Sequence, residues 1–317
     1  MTITRREILL GAAALPTAAA LAATTVAGAR EGTTQTPHGR IWWKIAGAGP
    51  RTPLLLLHGG PGAGHNYLEP LSAIADQRPV IFYDQLGCGR SDKPDSAALW
   101  TVDHFVQEID LLRADLGLDR VILYGHSWGG WLAQEYLAQR GDQAKVEALV
   151  LAGTSASTRQ FVAGALQLLS RMPGGLDARR RELEAAGKTD TLEYQEIVQA
   201  FLDAHVYHDS WPSHRFAKTI ENISTSRTYA AMNGPNEFTV TGTLRDWDRE
   251  SSLAAIDVPT LALTGEMDEV TLDCHLTLQR GIRNAHLVVM PKARHLAMLE
   301  QPESYNWILR GFLSNKA

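Results

Sequence analysis

Four short runs in this chain are apolar at every position: Leu54–Leu57, the PVIFY run 79–83, the VILY run 121–124 and the ALVL run 148–151. A strand with one wet face alternates apolar and polar residues. These runs have no wet face, so they belong in a parallel sheet covered by helices on both sides. The intervening sequence agrees. Val102, Phe105, Val106, Ile109, Leu112 and Leu116 recur at helical spacing, and Gly117 ends the pattern. The alternation stops near residue 155, gives way to helix-like segments, and resumes after about 250 with runs at 259–263 and 285–290 and a last helix through 305–312. The expected architecture is one α/β domain, built from residues 30–154 and 251–317, with a mostly helical cap at 155–250 over the open end of a mostly parallel sheet.

The first 29 residues are set apart by composition. Arg5-Arg6 precedes an uncharged, Ala-rich run from Ile8 to Ala29, which ends in the small-x-small triplet Ala27-Gly28-Ala29. That is the anatomy of an export signal, and the paired arginines favour the twin-arginine route. A membrane anchor is the competing expectation, but Gly11 and Pro16 interrupt a run that is only weakly apolar. The expectation is a cleaved signal and an exported, periplasmic or secreted protein with no stable membrane association after cleavage. Lys and Arg total 30 against 35 Asp and Glu, for a net charge of −5. No broad basic surface is implied, and nucleic acid is not an expected partner. Two cysteines, Cys88 and Cys274, make neither a disulfide scaffold nor a Cys-based zinc site, and free buried thiols are expected.

The chemistry is concentrated after the VILY run. Gly125-His126-Ser127-Trp128-Gly129-Gly130 is G-x-S-x-G between a strand and a helix. At such a junction the turn is sharp, small flanking residues avoid clashes, and the serine hydroxyl is pushed out at the top of the sheet. Serine needs a base, and in folds with this elbow the chain order is serine, acid, histidine. After PTLALTG stand Glu266-Met267-Asp268-Glu269; Asp268 is the expected acid, with Glu266 and Glu269 as competitors. After AHLVVMP comes His295, the expected base. His286 begins that strand and should face away, and His126 is too close in sequence to turn back onto Ser127. A tetrahedral intermediate also needs backbone N–H donors for its negative charge. Trp128, directly after the serine, is one expected donor. Gly60, in the His58-Gly59-Gly60-Pro61-Gly62 segment after the first apolar run, is the other.

Together HGGPG, FYDQLGCGRSDKP, GHSWGG, MNGPNEFTVTGTLRDWD, GEMDEV and the final histidine segment resemble the proline iminopeptidases. Within them the chain looks most like the tricorn-interacting aminopeptidase and the related L-amino-acid amidases. The likeness runs from about residue 38 to the C-terminus. It implies an α/β-hydrolase fold with a helical cap, no cofactor, and a small peptide or amino-acid amide as substrate. It also implies that two glutamates hold the substrate's α-ammonium group: Glu237 in the cap motif Asn233–Phe238, and Glu269 after the acid. Tyr229, eight positions before Glu237, would line the same pocket. Two carboxylates at one point suit a buried cation, which needs paired anions and hydrogen bonds.

Other signals carry less. Gly187-Lys188-Thr189 lacks the earlier glycine and the strand of a phosphate loop. His205, His208 and His214 come with no zinc-binding spacing, so no metal is expected. Arg179-Arg180-Arg181 is expected to be a solvated helix face. Phe161, Leu166, Phe201 and Trp211 suit either an apolar side-chain pocket or the core of the cap. The rival functions are a general carboxylesterase or lactone hydrolase on the same scaffold, and a catalytically silent binding protein. Oligomeric state is not legible.

Overall fold

The computed structural model describes residues 8–10, 29–208 and 214–314. The proposed export segment lies almost wholly outside them, as does Trp211. The strands are β1 (Ile8–Leu10), β2 (Arg30–Thr36), β3 (Gly39–Ala46), β4 (Leu54–Leu57), β5 (Val80–Tyr83), β6 (Val121–His126), β7 (Val146–Ala152), β8 (Thr260–Gly265) and β9 (Ala285–Met290). They form one sheet in the order β1-β9-β8-β7-β6-β4-β5-β3-β2. All neighbours are parallel except β2 with β3 and β3 with β5. This is the α/β-hydrolase sheet, and β1 is a three-residue addition on the outer edge of β9. The hairpin β2–β3 was not legible, because REGTTQT has no apolar periodicity.

Successive residues of each central strand feed two different cores. Leu55, Leu57, Ile81, Leu123, Leu149 and Leu151 pack on one face with α1 (Val102–Leu116) and α2 (Trp128–Arg140). Leu54, Leu56, Phe82, Ile122, Ala148 and Val150 pack on the other, against the 3₁₀ segment Asn66–Asp76 and the C-terminal helix. That period of two, apolar on both sides, is why these strands read as unbroken apolar runs. The ends of α1 follow the sequence closely. The Thr101 side chain accepts from His104 N–H at the start, and Gly117 closes the helix with φ 65°.

The cap comprises α3 (Thr158–Arg171), α4 (Leu176–Ala185), α5 (Leu192–His205), α6 (His214–Thr225) and α7 (Arg227–Met232). Its own small core contains Leu169, Leu183, Tyr194, Ile197, Phe201 and Phe238, with Leu166 packed against it. Phe201 and Leu166 therefore belong to the cap core, whereas Phe161 reaches the site below. Arg180 departs from expectation. It is buried, and it pairs with Asp177 at 2.9 Å and Glu184 at 2.5 Å. Unlike Arg179 and Arg181, it faces inward, because a buried guanidinium can satisfy two carboxylates at once.

The cap is fastened at several points. Trp247 stacks on Trp131 of α2 at 4.8 Å, and Arg249 donates twice to the buried Glu135, at 2.6 and 2.8 Å. On the other side Asn222 donates to Ala63 O and Ser226 to Gly87 O, at 3.0 and 2.8 Å. The chain then returns through α8 (Leu272–Gly281), β9, the single turn α9 (Ala297–Glu300) and α10 (Pro302–Leu313). Both cysteines are free and buried. No helix of the described residues is long and apolar enough to cross a membrane.

Candidate active site

The turn from β6 into α2 is the most constrained point of the backbone. Ser127 has φ 55° and ψ −125°, a conformation that costs a non-glycine residue about 1–3 kcal/mol. The glycines on either side are required by space. A Cβ on Gly125 would lie 2.3 Å from Gly129 O, and one on Gly129 would lie 2.0 Å from Leu57 O. The elbow is thus wedged against the end of β4, and Ser127 is left facing a cavity of about 1150 Å³ between the strand ends and the cap.

The same cavity is lined by His295, Glu269, Glu237, Tyr229 and Gly60. Asp268 stands behind His295. Its Oδ1 accepts from His295 Nδ1 at 2.8 Å and from Val270 N–H at 2.9 Å, and its Oδ2 accepts from Thr264 Oγ1 at 3.1 Å. Burial works against ionising this carboxyl, but the facing His295 imidazole outweighs it and holds the acid below its ordinary range. The competitors fall elsewhere. Glu266 accepts from Lys292 N–H at an exposed turn, and Glu269 faces the other ring nitrogen of His295. His286 is exposed at the start of β9, away from the cavity.

Ser127 and His295 share the cavity, but no hydrogen bond joins Oγ to Nε2 among the described residues. Instead Nε2 lies 3.5 Å from Glu269 Oε1. A carboxyl group at this distance competes with the serine hydroxyl for that ring nitrogen. Catalytic hydrogen bonds of this kind are often open without substrate. Burial alone would push His295 down, yet Asp268 and Glu269 beside it hold it up at about 9.

Gly60 and Trp128 line a smaller cavity with Ser127, Trp131, Phe161 and Val270. Gly60 has φ 107°, open only to glycine, and Trp128 is the first residue of α2, whose N–H has no intrahelical acceptor. Both peptides border the space beside Ser127 Oγ. Two neighbouring side chains fix this wall. Gln85 accepts from Trp128 Nε1 at 2.9 Å and donates to His58 O at 3.0 Å. Tyr67 Oη accepts Gly59 N–H at 2.7 Å, so its own proton goes to His126 Nδ1 at 3.0 Å; His126 Nε2–H then donates to His295 O at 3.0 Å. His126 is thereby a neutral strut between the Gly59 loop and the His295 loop, and burial pushes its pKa down to about 3. Sequence reasoning missed Gln85, Tyr67 and Gly153. A Cβ on Gly153 would lie 2.9 Å from His295 Nδ1. The only sequence signal was the glycine closing the VLAG run at the end of β7.

The remaining polar groups of the cavity come from the cap and from the residue after Asp268. Tyr229 Oη donates to Glu237 Oε1 at 2.5 Å. Glu237 is half-buried against the cavity; Glu269 is buried, and its Oε2 has no hydrogen-bond partner. Burial pushes both carboxyls up, and the charge of Glu237 adds to the rise at Glu269. A pair of carboxylates left short of donors is a receptor for a cation with several N–H groups.

One further cluster could be taken for a metal centre. His58, Asp84 and Cys88 bring their donor atoms within 4.8 Å of one another. Their lone pairs are already in use: Gln85 N–H donates to His58 Nε2, and His65 and Arg90 N–H donate to Asp84. Burial also pushes the Cys88 thiol well above its ordinary value, away from the thiolate a metal would need. The cluster braces the loop behind Gly60.

Comparison with known proteins gives the fold and the family. Residues 52–302 match the α/β hydrolase fold family. A proline iminopeptidase of Saccharolobus solfataricus is 35% identical over 267 residues, spanning 84% of this chain and 86% of that protein. One from Thermoplasma volcanium is 37% identical over 277 residues, 86% of this chain and 92% of its own. The chain belongs to the proline iminopeptidase family of α/β hydrolases. Among solved structures, the proline iminopeptidase of Mycobacterium smegmatis superposes with a TM-score of 0.83 at 33% identity, over 90% of this chain and 98% of that one. VinJ superposes with a TM-score of 0.85 at 35% identity, over 91% and 99%.

Proposed function

We propose that this protein is a serine hydrolase that releases the N-terminal residue, proline or another apolar amino acid, from small peptides, or hydrolyses L-amino-acid amides. The observation that carries this reading is the meeting of two sets of groups on one cavity. Ser127 and the Asp268–His295 pair lie at the strand ends, and the under-bonded carboxylates Glu237 and Glu269 line the same cavity. Membership of the proline iminopeptidase family supports the same substrate class.

In this reading the substrate's α-ammonium group enters between Glu237 and Glu269, with Tyr229 orienting Glu237. The adjoining carbonyl then lies over Ser127. Neutral His295 takes the Oγ proton as the serine attacks, and Asp268 fixes the tautomer and stabilises the imidazolium. The N–H groups of Gly60 and Trp128 receive the oxyanion, where each donor is worth on the order of 3 kcal/mol of barrier. His295 passes its proton to the departing amine, leaving an acyl-enzyme. Water attacks that ester with His295 again as base, and the free amino acid leaves.

The deciding experiment compares aminoacyl-4-nitroanilides with their N-acetyl counterparts. Free substrates should be cleaved, and acetylated ones should lose at least about 100-fold in kcat/KM, since acetylation removes the cation and leaves the two cavity carboxylates unpaired. Equal rates on both would reduce the protein to a general esterase or amidase.

Export through the twin-arginine route belongs to the same proposal. It rests on the paired arginines and the Ala-rich run before Arg30. Among the described residues that segment pairs with the sheet through β1 alone, at the outer edge of β9, whose other edge is paired with β8. N-terminal sequencing of protein from the extracytoplasmic fraction should begin close to Arg30; an intact Met1 there would refute cleavage.

A further inference from the structure

The nitrogen that must receive the serine proton already faces an acid. His295 Nδ1 is bound to Asp268, and Nε2 lies 3.5 Å from Glu269 Oε1, with no hydrogen bond to Ser127. Glu269 is buried, and its second oxygen has no donor. Five groups set the charge around the ring. Asp268 and Glu269 come from the loop after β8, and Glu237 comes from the cap. His126 lies at the end of β6, 4.5 Å from the His295 ring, and His275 lies on α8. Burial pushes the last two down, so both are neutral. The imidazole therefore sits among three carboxyl groups; His205 on α5, whose carbonyl accepts the His295 N–H, is also pushed down by burial, and the adjacent Arg294 is paired with Glu300 at 3.0 Å.

We propose that Glu269 is a specificity-determining residue that acts through His295: without substrate it keeps a proton on the Nε2–Oε1 pair and the imidazole away from Ser127, and only an incoming ammonium group frees Nε2 to serve as base. This rests on the assignment of Glu237 and Glu269 as the amino-group site. The proton balance is simple. The resting pair holds one proton between Nε2 and Oε1. The arriving ammonium donates its N–H groups to Glu269 and Glu237 and supplies the positive charge they lacked. The shared proton then leaves to water, and neutral Nε2 turns to the Ser127 hydroxyl. Asp268 and Glu269 hold the imidazole above its ordinary value, which favours the occupied state of the pair until the ammonium arrives. Rejection of substrates lacking an amino group would thus be kinetic as well as a matter of affinity, because they would meet a serine with no base.

The test uses the whole enzyme and a fluorophosphonate without an amino group. Ser127 Oγ displaces fluoride from phosphorus, and its rate reports the fraction of His295 free to accept the proton. At pH 7 ethylammonium chloride should speed this reaction at least about 10-fold over sodium chloride of equal ionic strength, and should lower the midpoint of the rate–pH curve by a unit or more. Glu269→Gln should react quickly without ethylammonium and gain nothing from it. If the wild-type rate and midpoint ignore ethylammonium while aminoacyl anilides are still turned over, the gating is wrong and the amino-group site stands. If free and N-acetylated anilides are cleaved alike, the site assignment fails and the gating falls with it. The wild-type arms decide the matter even if the variant does not fold.

Discussion

The strand ends and the cap face one cavity, and they treat their polar groups differently. On the sheet side the groups that support the reacting atoms are saturated: Asp268 accepts three hydrogen bonds, and His126 bonds through both ring nitrogens. By contrast Glu237 of the cap has a single tyrosine donor, and Glu269 Oε2, on the loop after β8, has none. Asp268 and Glu269 are adjacent in sequence yet fall on opposite sides of this division. A saturated group is held in place to act on something; an under-bonded buried group waits for a partner to arrive. The difference separates the chemical machinery from the recognition site more clearly than residue type does.

The harshest way to break that division is Ser127→Ala. Removing the nucleophile should cost on the order of 10⁴–10⁶ in kcat on a good aminoacyl anilide, with affinity for a free-amine inhibitor preserved. Inhibitor binding lost together with turnover would mean that the two sides are not separable. Next comes Glu237→Gln, which removes charge while keeping shape. Here kcat/KM on aminoacyl anilides should fall by about 10²–10³, and any residual hydrolysis of simple esters should be unharmed. A silent substitution would place Glu237 among ordinary cap acids.

A smaller effect should follow from Gly153→Ala. Gly153 has φ 49°, and a methyl there would lie 2.9 Å from His295 Nδ1 and 3.1 Å from Asp268 Oδ2. Displacing the saturated pair by a fraction of an ångström should lower kcat by about 10–100-fold with KM nearly unchanged, because binding lies on the other side. A rise in KM without loss of kcat would show that the sheet side also holds substrate.

What the sequence disclosed follows the same line. The parallel strands were legible because burial on both faces writes unbroken apolar runs, and Ser127 because only glycine fits at 125 and 129. Asp268 and His295 followed from their places after β8 and β9. The recognition side was not legible from residue pattern. Nothing around Glu237 distinguishes a cavity carboxylate from a surface one, and only the likeness of the Asn233–Phe238 motif to a known family singled it out. The facing of Nε2 toward Glu269 depends on an approach of 3.5 Å across the cavity, which no local pattern encodes. The inward turn of Arg180 was hidden for the same reason, since Asp177 and Glu184 look like ordinary helix-surface acids.

The least effect on chemistry, and a test of whether the cap is more than a cover, comes from Arg249→Ala. Arg249 ties the cap's return segment to Glu135 on α2, and Glu135 also receives Trp247 Nε1–H and Gln139. Burial pushes the Glu135 carboxyl up, but Arg249 leads the donors that outweigh it, and the group ends below its ordinary value. A carboxyl whose folded pKa is depressed contributes stability above its unfolded value, and that contribution is lost as pH falls through the folded pKa. Arg249 itself is partly exposed, so the loss at pH 7 should be discounted to about 2 kcal/mol, or a Tm lower by roughly 3–6 °C. As pH falls through the lowered value of the Glu135 carboxyl, the wild-type advantage should shrink, because Glu135 takes up a proton in both proteins. Turnover at temperatures well below the transition should change less than about twofold, because neither residue reaches the cavity. A Tm difference that persists unchanged into acid would remove the ion pair as its cause and leave the Trp131–Trp247 stack as the main fastening of the cap.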